Sequence, residues 1–208
     1  MWNWLKSAFS FVSSLAGKVL GKSGERALVN STCDGAITAV ENITERLLAD
    51  QISVDAWLKE CRLALKNAYI QQYLLGIGEQ GQLTFKDYGS IGGMLGEQYK
   101  YLQNFAREIA AGNLTPGQIR RRIAMYANSA REGYARARAR AHGIPDGKLP
   151  AFPGIGSECL TSCHCFWDIV DRKDRWDCYW LMGAVRTEHC PTCLDRARKW
   201  NPYVIEKE

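Results

Sequence analysis

Apolar positions recur at three- and four-residue intervals through most of the first 145 residues, which predicts helices. In residues 1–22 the stripe is Leu5, Ala8, Phe9, Val12, Leu15, Ala16 and Val19. A second stripe, Ile37, Val40, Ile43 and Leu47, predicts a helix over 34–50. Ser53 is placed to cap the next helix, with Asp55 in its first turn complementing the helix dipole. Its face is Trp57, Cys61, Leu65, Ala68 and Tyr69, running to about Leu75, where Gly76, Gly78 and Gly81 predict a loop. Cys61 on that face reads as a small core residue. Thr84 and Asp87 form a shortened capping box. Tyr88, Ile91, Leu95, Tyr99, Leu102, Phe105 and Ile109 then mark an amphipathic helix of about seven turns. Gly112-Asn113 stops it. Thr115-Pro116-Gly117-Gln118 opens another, with Thr as cap, Pro at the first helical position and Gln reaching back to the cap. Ile119, Ile123, Tyr126, Ala127, Ala130 and Tyr134 carry it to about His142-Gly143.

The pattern then changes. Residues 143–158 hold four Gly and three Pro and cannot be helical. Beyond them the period falls to two. Cys165, Trp167 and Ile169 alternate with Phe166 and Val170, and Trp176, Cys178, Trp180 and Met182 alternate with Tyr179 and Leu181. These predict strands over 164–170 and 176–184 joined by a polar turn at 171–175. His189-Cys190-Pro191-Thr192-Cys193 follows, then a stretch of helical composition. The expected architecture is mostly α: long amphipathic helices, then a small C-terminal zinc-binding β-hairpin module of treble-clef or ribbon-like layout. Its parts are an N-terminal amphipathic helical arm (1–50), a helical body (51–145), a Pro/Gly linker (146–158) and a Cys-rich module (159–208).

The composition, 46% hydrophobic and 24% charged over 208 residues, is globular and excludes a disordered or fibrous chain. The longest uncharged stretch is the 12 residues 67–78, too short to span a membrane, which takes about 20. The first 21 residues lack the ordered regions of a secretory signal. In residues 1–22, Trp2 and Trp4 with Lys6, Lys18 and Lys22 suit a helix packed on its own domain, a pocket on a partner, or a membrane interface. Residues 16–23, AGKVLGKS, match a relaxed phosphate-loop pattern, but the residues before them follow a helix period, and the mechanism needs a strand there.

Eight cysteines change the picture. Cys33 and Cys61 stand alone, whereas Cys159, Cys163, Cys165, Cys178, Cys190 and Cys193 fall within 35 residues. Without a secretory signal, such a cluster reads as a metal site before disulfides or free core thiols. Zinc takes four thiolate or imidazole ligands in a tetrahedron, usually as two close pairs. Cys190 and Cys193, at a helix start where N–H groups face the sulfurs, are one pair. Cys159, Cys163 and Cys165 compete for the other two places. Cys178, among tryptophans, is assigned to the core. His164 and His189 each neighbour a cysteine, which strain disfavours as a ligand pair. Four available thiolates imply a closed, structural site. HExxH and GxSxG are both absent, so no enzyme is expected.

Charge is uneven as well. Residues 116–142 carry seven arginines against Glu132 alone, a local +6 in a chain of net +5. Arg120, Arg121, Arg122, Arg131 and Arg136 are therefore candidates for contact with nucleic acid or an acidic partner. The competing reading is a solvated face or salt bridges within the protein, which guanidinium serves equally well. The spacing of Arg136, Arg138 and Arg140 splays them about 200° apart instead of along one groove.

Leu83-Thr84, Asp87-Tyr88, the stripe 98–105, the run 112–119 and Met125 with the residues to Ala130 together resemble a helical region of tailed-phage minor head, or head-morphogenesis, proteins. The tail is similar too, at Leu149-Pro150, Pro153-Gly154, Cys159, Cys163-His164-Cys165, Trp167, His189-Cys190-Pro191, Cys193 and Trp200-Asn201-Pro202. The resemblance covers about residues 55–205. It implies a virion part and not an enzyme: a protein of the particle, present in host cytoplasm during assembly. Its partners would be capsid, portal or neighbouring copies, with packaged DNA beside the arginines. The alternatives are a zinc-dependent DNA-binding regulator and an HNH-type nuclease, for which His164 is the one candidate base.

Overall fold

A computed structural model describes residues 21–78, 82–183 and 189–208. The stripe over 5–19 lies outside them. Five helices come first: α1 (Gly21–Leu48), α2 (Val54–Ile77), α3 (Phe85–Ala110), α4 (Pro116–Asn128) and α5 (Arg131–Ala141). A short 3-10 turn at Leu160–Ser162 leads into β1 (Phe166–Asp171) and β2 (Arg175–Leu181). Then come α6 (Pro191–Lys199) and β3 (Tyr203–Glu206). The expected class holds: a mostly helical body, then a small antiparallel sheet with a cysteine cluster.

The caps behave as their residues dictate. The Ser53 hydroxyl accepts the Ala56 N–H at 3.2 Å. Thr84 and Asp87 complete their box, as do Thr115 and Gln118, each satisfying two helix-end donors reciprocally. Burial follows the apolar stripes. Trp57, Leu65, Tyr69, Leu102, Phe105 and Ile123 share one core, where Trp57 meets Phe105 edge-on at 5.6 Å and Phe105 stacks on Tyr126 at 5.8 Å.

Four boundaries differ from expectation, each for a reason distant in sequence. From Gly21 onward, α1 is not an arm. Its Val40 and Leu47 lie in that same core. The buried Thr44 hydroxyl accepts from Trp57 Nε1 at 3.0 Å, and Gln72 Nε2 donates to Val29 O at 2.9 Å and Thr32 Oγ1 at 2.8 Å. Gly76 does not end α2. It is buried inside the helix, where α5 crosses so closely that an added Cβ would meet the Tyr134 carbonyl oxygen and Ala137 Cβ. The helix expected through 116–142 breaks at Ser129-Ala130. There the backbone tightens to i→i−3 bonding, and Ser129 Oγ turns back to Tyr126 O at 2.6 Å while meeting Tyr69 OH at 2.9 Å.

The fourth difference is the connector. Residues 146–158 are not a free spacer, because side chains of the module take up their backbone acceptors. Trp167 Nε1 donates to Ala151 O at 2.8 Å, and Arg196 Nη2 donates to Ile155 O and Gly156 O, both at 2.9 Å. Just upstream, Trp176 Nε1 donates to His142 O at 2.8 Å. Ile144 and Leu149 are buried with the sheet's inner face in a second core.

The sheet runs β1-β2-β3, all antiparallel, with Trp167 opposite Trp180 and Trp176 opposite Ile205. Trp167, Trp180 and Trp200 pack together with ring centroids 5.0–5.7 Å apart. β3 has no counterpart in the sequence reading. Cys178, expected in the core, is fully buried within this cluster.

Candidate metal centre

Three segments converge on the cysteines. The first is the turn at 159–163, in which Leu160 takes a positive φ of 46°. The second is the extended 163–165 stretch that enters β1. It is held against the end of β2, where an added Cβ on Gly183 would meet the His164 carbonyl oxygen. The third is the N-terminus of α6, where Pro191 sets the first turn and Cys190 stands as the cap residue. A knuckle, a hairpin and a helix carrying Cys-Pro-x-Cys at its start are therefore folded onto one point.

Five sulfurs meet there in two groups of three. Cys159, Cys190 and Cys193 form one, Cys163, Cys165 and Cys193 the other, with all sulfurs of a group within 4.8 Å of one another. Cys193 belongs to both. All five expected ligand candidates are thus brought together. Neither group includes His164 or His189.

The separations test the fit to a metal. A tetrahedral ion bound at about 2.3 Å by thiolates sets its sulfurs about 3.8 Å apart. The observed distances are 3.6 Å for Cys190 to Cys159, 3.7 Å for Cys159 to Cys193 and 3.8 Å for Cys193 to Cys163. Every cysteine of the chain is a free thiol. The cluster can hold a metal ion.

Its local electrostatics assist two of the sulfurs. Cys165 hydrogen-bonds to the Cys163 sulfur, and this outweighs burial to bring the Cys163 thiol down to about 5. Burial opposes ionisation of Cys190, but the Cys193 and Cys159 N–H groups directed at its sulfur outweigh it and lower its pKa. Burial raises Cys159, although Ser157 Oγ lies 3.3 Å from its sulfur. Backbone N–H donors aimed at sulfur stabilise the thiolate, the form that binds metal.

Several supporting residues escape sequence reasoning. Arg196 is 9% exposed, holds the connector's carbonyls and lies 5.3 Å and 5.5 Å from the Trp180 and Trp200 rings. Glu158 accepts the Thr192 N–H at 3.2 Å, taking up an open donor at the start of α6. Neither has a motif. Their roles depend on which carbonyl or N–H the fold brings near.

Four of the five candidate arginines are taken up by partners within the chain. Arg120 pairs with Glu45 through Nε and Nη2 at 2.5 and 2.8 Å, and Arg122 with Glu108 at 2.5 and 3.0 Å. Arg136 meets Glu132 at 2.7 Å. Arg131 is buried and donates to Asn30. Arg121 is exposed, with no partner among the described residues. Both Glu45 and Glu108 have lowered pKa values, caused first by hydrogen bonds from their arginines.

Comparison with protein-family models, with curated proteins and with solved structures finds no match.

Proposed function

We propose that this chain is a structural component of a tailed-phage virion, a minor head or head–tail protein acting in capsid assembly or stabilisation. The ion at its cysteine centre is then zinc, held by four thiolates as a structural tie. The observation carrying this reading is that the sulfurs with tetrahedral spacing sit within the run, 55–205, that resembles minor head proteins. An all-thiolate set leaves zinc no open position for water, unlike catalytic sites, which keep one. Such an ion supplies folding energy to a segment of about 50 residues, a size at which a core alone is marginal.

The pairing of Arg120, Arg122 and Arg136 with carboxylates of the same chain favours salt bridges within the protein over DNA binding by these groups. Arg121 is the cation they leave for a capsid, portal or DNA neighbour. Mass spectrometry of gradient-purified particles tests the proposal. The chain is expected in the particle fraction, and the free protein is expected neither to cleave duplex DNA nor to bind it with a steep salt dependence. Absence from particles together with salt-sensitive duplex binding would establish the regulator instead. Metal-dependent cleavage would establish the nuclease.

A further inference from the structure

We infer that Cys163 and Cys165 are interchangeable ligands for one corner of the metal site, so that the cluster carries a built-in spare. This rests on the zinc reading above and specifies its ligand set. A tetrahedral ion needs four sulfurs and five are present. The group of Cys159, Cys190 and Cys193 supplies three corners. The other group shares Cys193 and adds two sulfurs, either of which completes the set.

Geometry places both alternatives beside the shared Cys193. Cys163 and Cys165 are two residues apart, and Cys163 has extended backbone, with φ −75° and ψ 124°. In extended chain, residues i and i+2 point to the same side. Both sulfurs accordingly lie within 4.8 Å of Cys193 and of each other. The Cys163 sulfur, 3.8 Å from Cys193, already stands at a tetrahedral edge and is the resident ligand. Cys165 is 6% exposed, against 2% for Cys163, so both are shielded from solvent. Exchange breaks the metal bond to Cys163 and forms one to Cys165. The proton of the incoming thiol passes to the departing thiolate along the hydrogen bond that joins them. Cys159 and Cys190 belong to the other group, on separate segments, and neither has a second cysteine two residues away on extended chain to take its place.

Cobalt(II) replacing zinc in the full-length protein provides the readout, because its visible bands move to shorter wavelength when a sulfur ligand is replaced by oxygen. The variants are Cys163→Ser, Cys165→Ser, the double substitution and Cys190→Ser, with far-UV circular dichroism verifying that the helices remain folded. Both Cys163→Ser and Cys165→Ser are expected to keep the four-sulfur spectrum of the unmodified chain. The double variant and Cys190→Ser are expected to show the three-sulfur spectrum. Interchangeability is overturned if either single variant at 163 or 165 shifts as fully as Cys190→Ser. Failure of the unmodified chain to take up cobalt(II) overturns the metal reading itself, a result visible before any variant is compared.

Discussion

The helical body and the cysteine module bury their interiors by different means. In the body, five helices of 11 to 28 residues supply a continuous aliphatic and aromatic core, and polar ties such as Thr44 and Gln72 only align what packing already holds. The module has three strands of four to seven residues and one nine-residue helix. Its core is a few tryptophans and isoleucines beside the sulfurs. Helices in proteins draw most of their stability from a packed apolar face, whereas strands this short need a partner layer or a staple. The two regions should therefore fail under different insults.

The largest effect separates them directly. Chelation, or Cys193→Ser, should unfold the module and leave the helices, because binding of a structural zinc can supply on the order of 10 kcal/mol of folding free energy. Near-UV circular dichroism reads the Trp167, Trp180 and Trp200 cluster, and far-UV reads the helices. Cys61→Ser, at a fully buried position of the body, should cost about 1–3 kcal/mol and leave metal content unchanged. Equal thermal shifts in the two variants would break the comparison.

Next comes the acid sensitivity of the body. Asp87 is 2% exposed and pairs with Arg140 and Thr84. Burial alone would raise its pKa, but the Thr84 hydrogen bonds and then Tyr73 and Arg140 outweigh it and hold the carboxyl below its ordinary value. Its contribution is thus complete above the unfolded pKa of about 3.9 and disappears as pH falls through the lower folded value. Asp87→Asn should cost about 1.5–3 kcal/mol at neutral pH and flatten the loss of stability in acid. Urea titrations of both proteins across that range measure it, and parallel pH profiles would refute the assignment.

Two glycines sharpen the role of packing. Gly76→Ala forces a methyl into the α2–α5 crossing and should lower stability by about 1–3 kcal/mol. Gly89→Ala, on the open face of α3, meets nothing within 4 Å and should raise it by about 0.5–1 kcal/mol. Melting temperatures shifting the same way would refute the close approach of α5 to Gly76. The smallest effect belongs to the arginines. Arg120→Gln removes a surface pair with Glu45 and should cost about 0.2–1 kcal/mol, less in high salt. A salt-independent loss would point to packing by the arginine stem.

Features legible in the sequence are those whose causes are local. Thr84–Asp87 and Thr115–Gln118 announce helix starts because a capping box is complete within four residues. Trp57, Cys61 and Leu65 announce a buried face because helical periodicity alone selects them. The cysteines were recognisable as a site, but spacing left Cys159, Cys163 and Cys165 competing for two places, and only the fold sorts them into groups around Cys193. Other features have distant causes. Gly76 looks like a terminator until Tyr134 and Ala137 are placed against it. Arg120 and Arg122 look like a basic patch until Glu45 and Glu108 are seen opposite. β3 is four residues long, too brief to show a period, and exists because β2 offers it an edge.

The bonds from Trp167, Trp176 and Arg196 to the connector bear on how the chain meets proteases. A protease needs several consecutive residues in extended form, with their amides and carbonyls free to pair with its own cleft. By composition, the proline- and glycine-rich stretch is the obvious place to cut this chain in two. Yet the carbonyls of Ala151, Ile155 and Gly156 are already occupied, and Leu149 is anchored in the second core. Cleavage there must wait for the tryptophan cluster to open, so nicking at 146–158 becomes a clock for the module's unfolding, and its rate should rise under chelation.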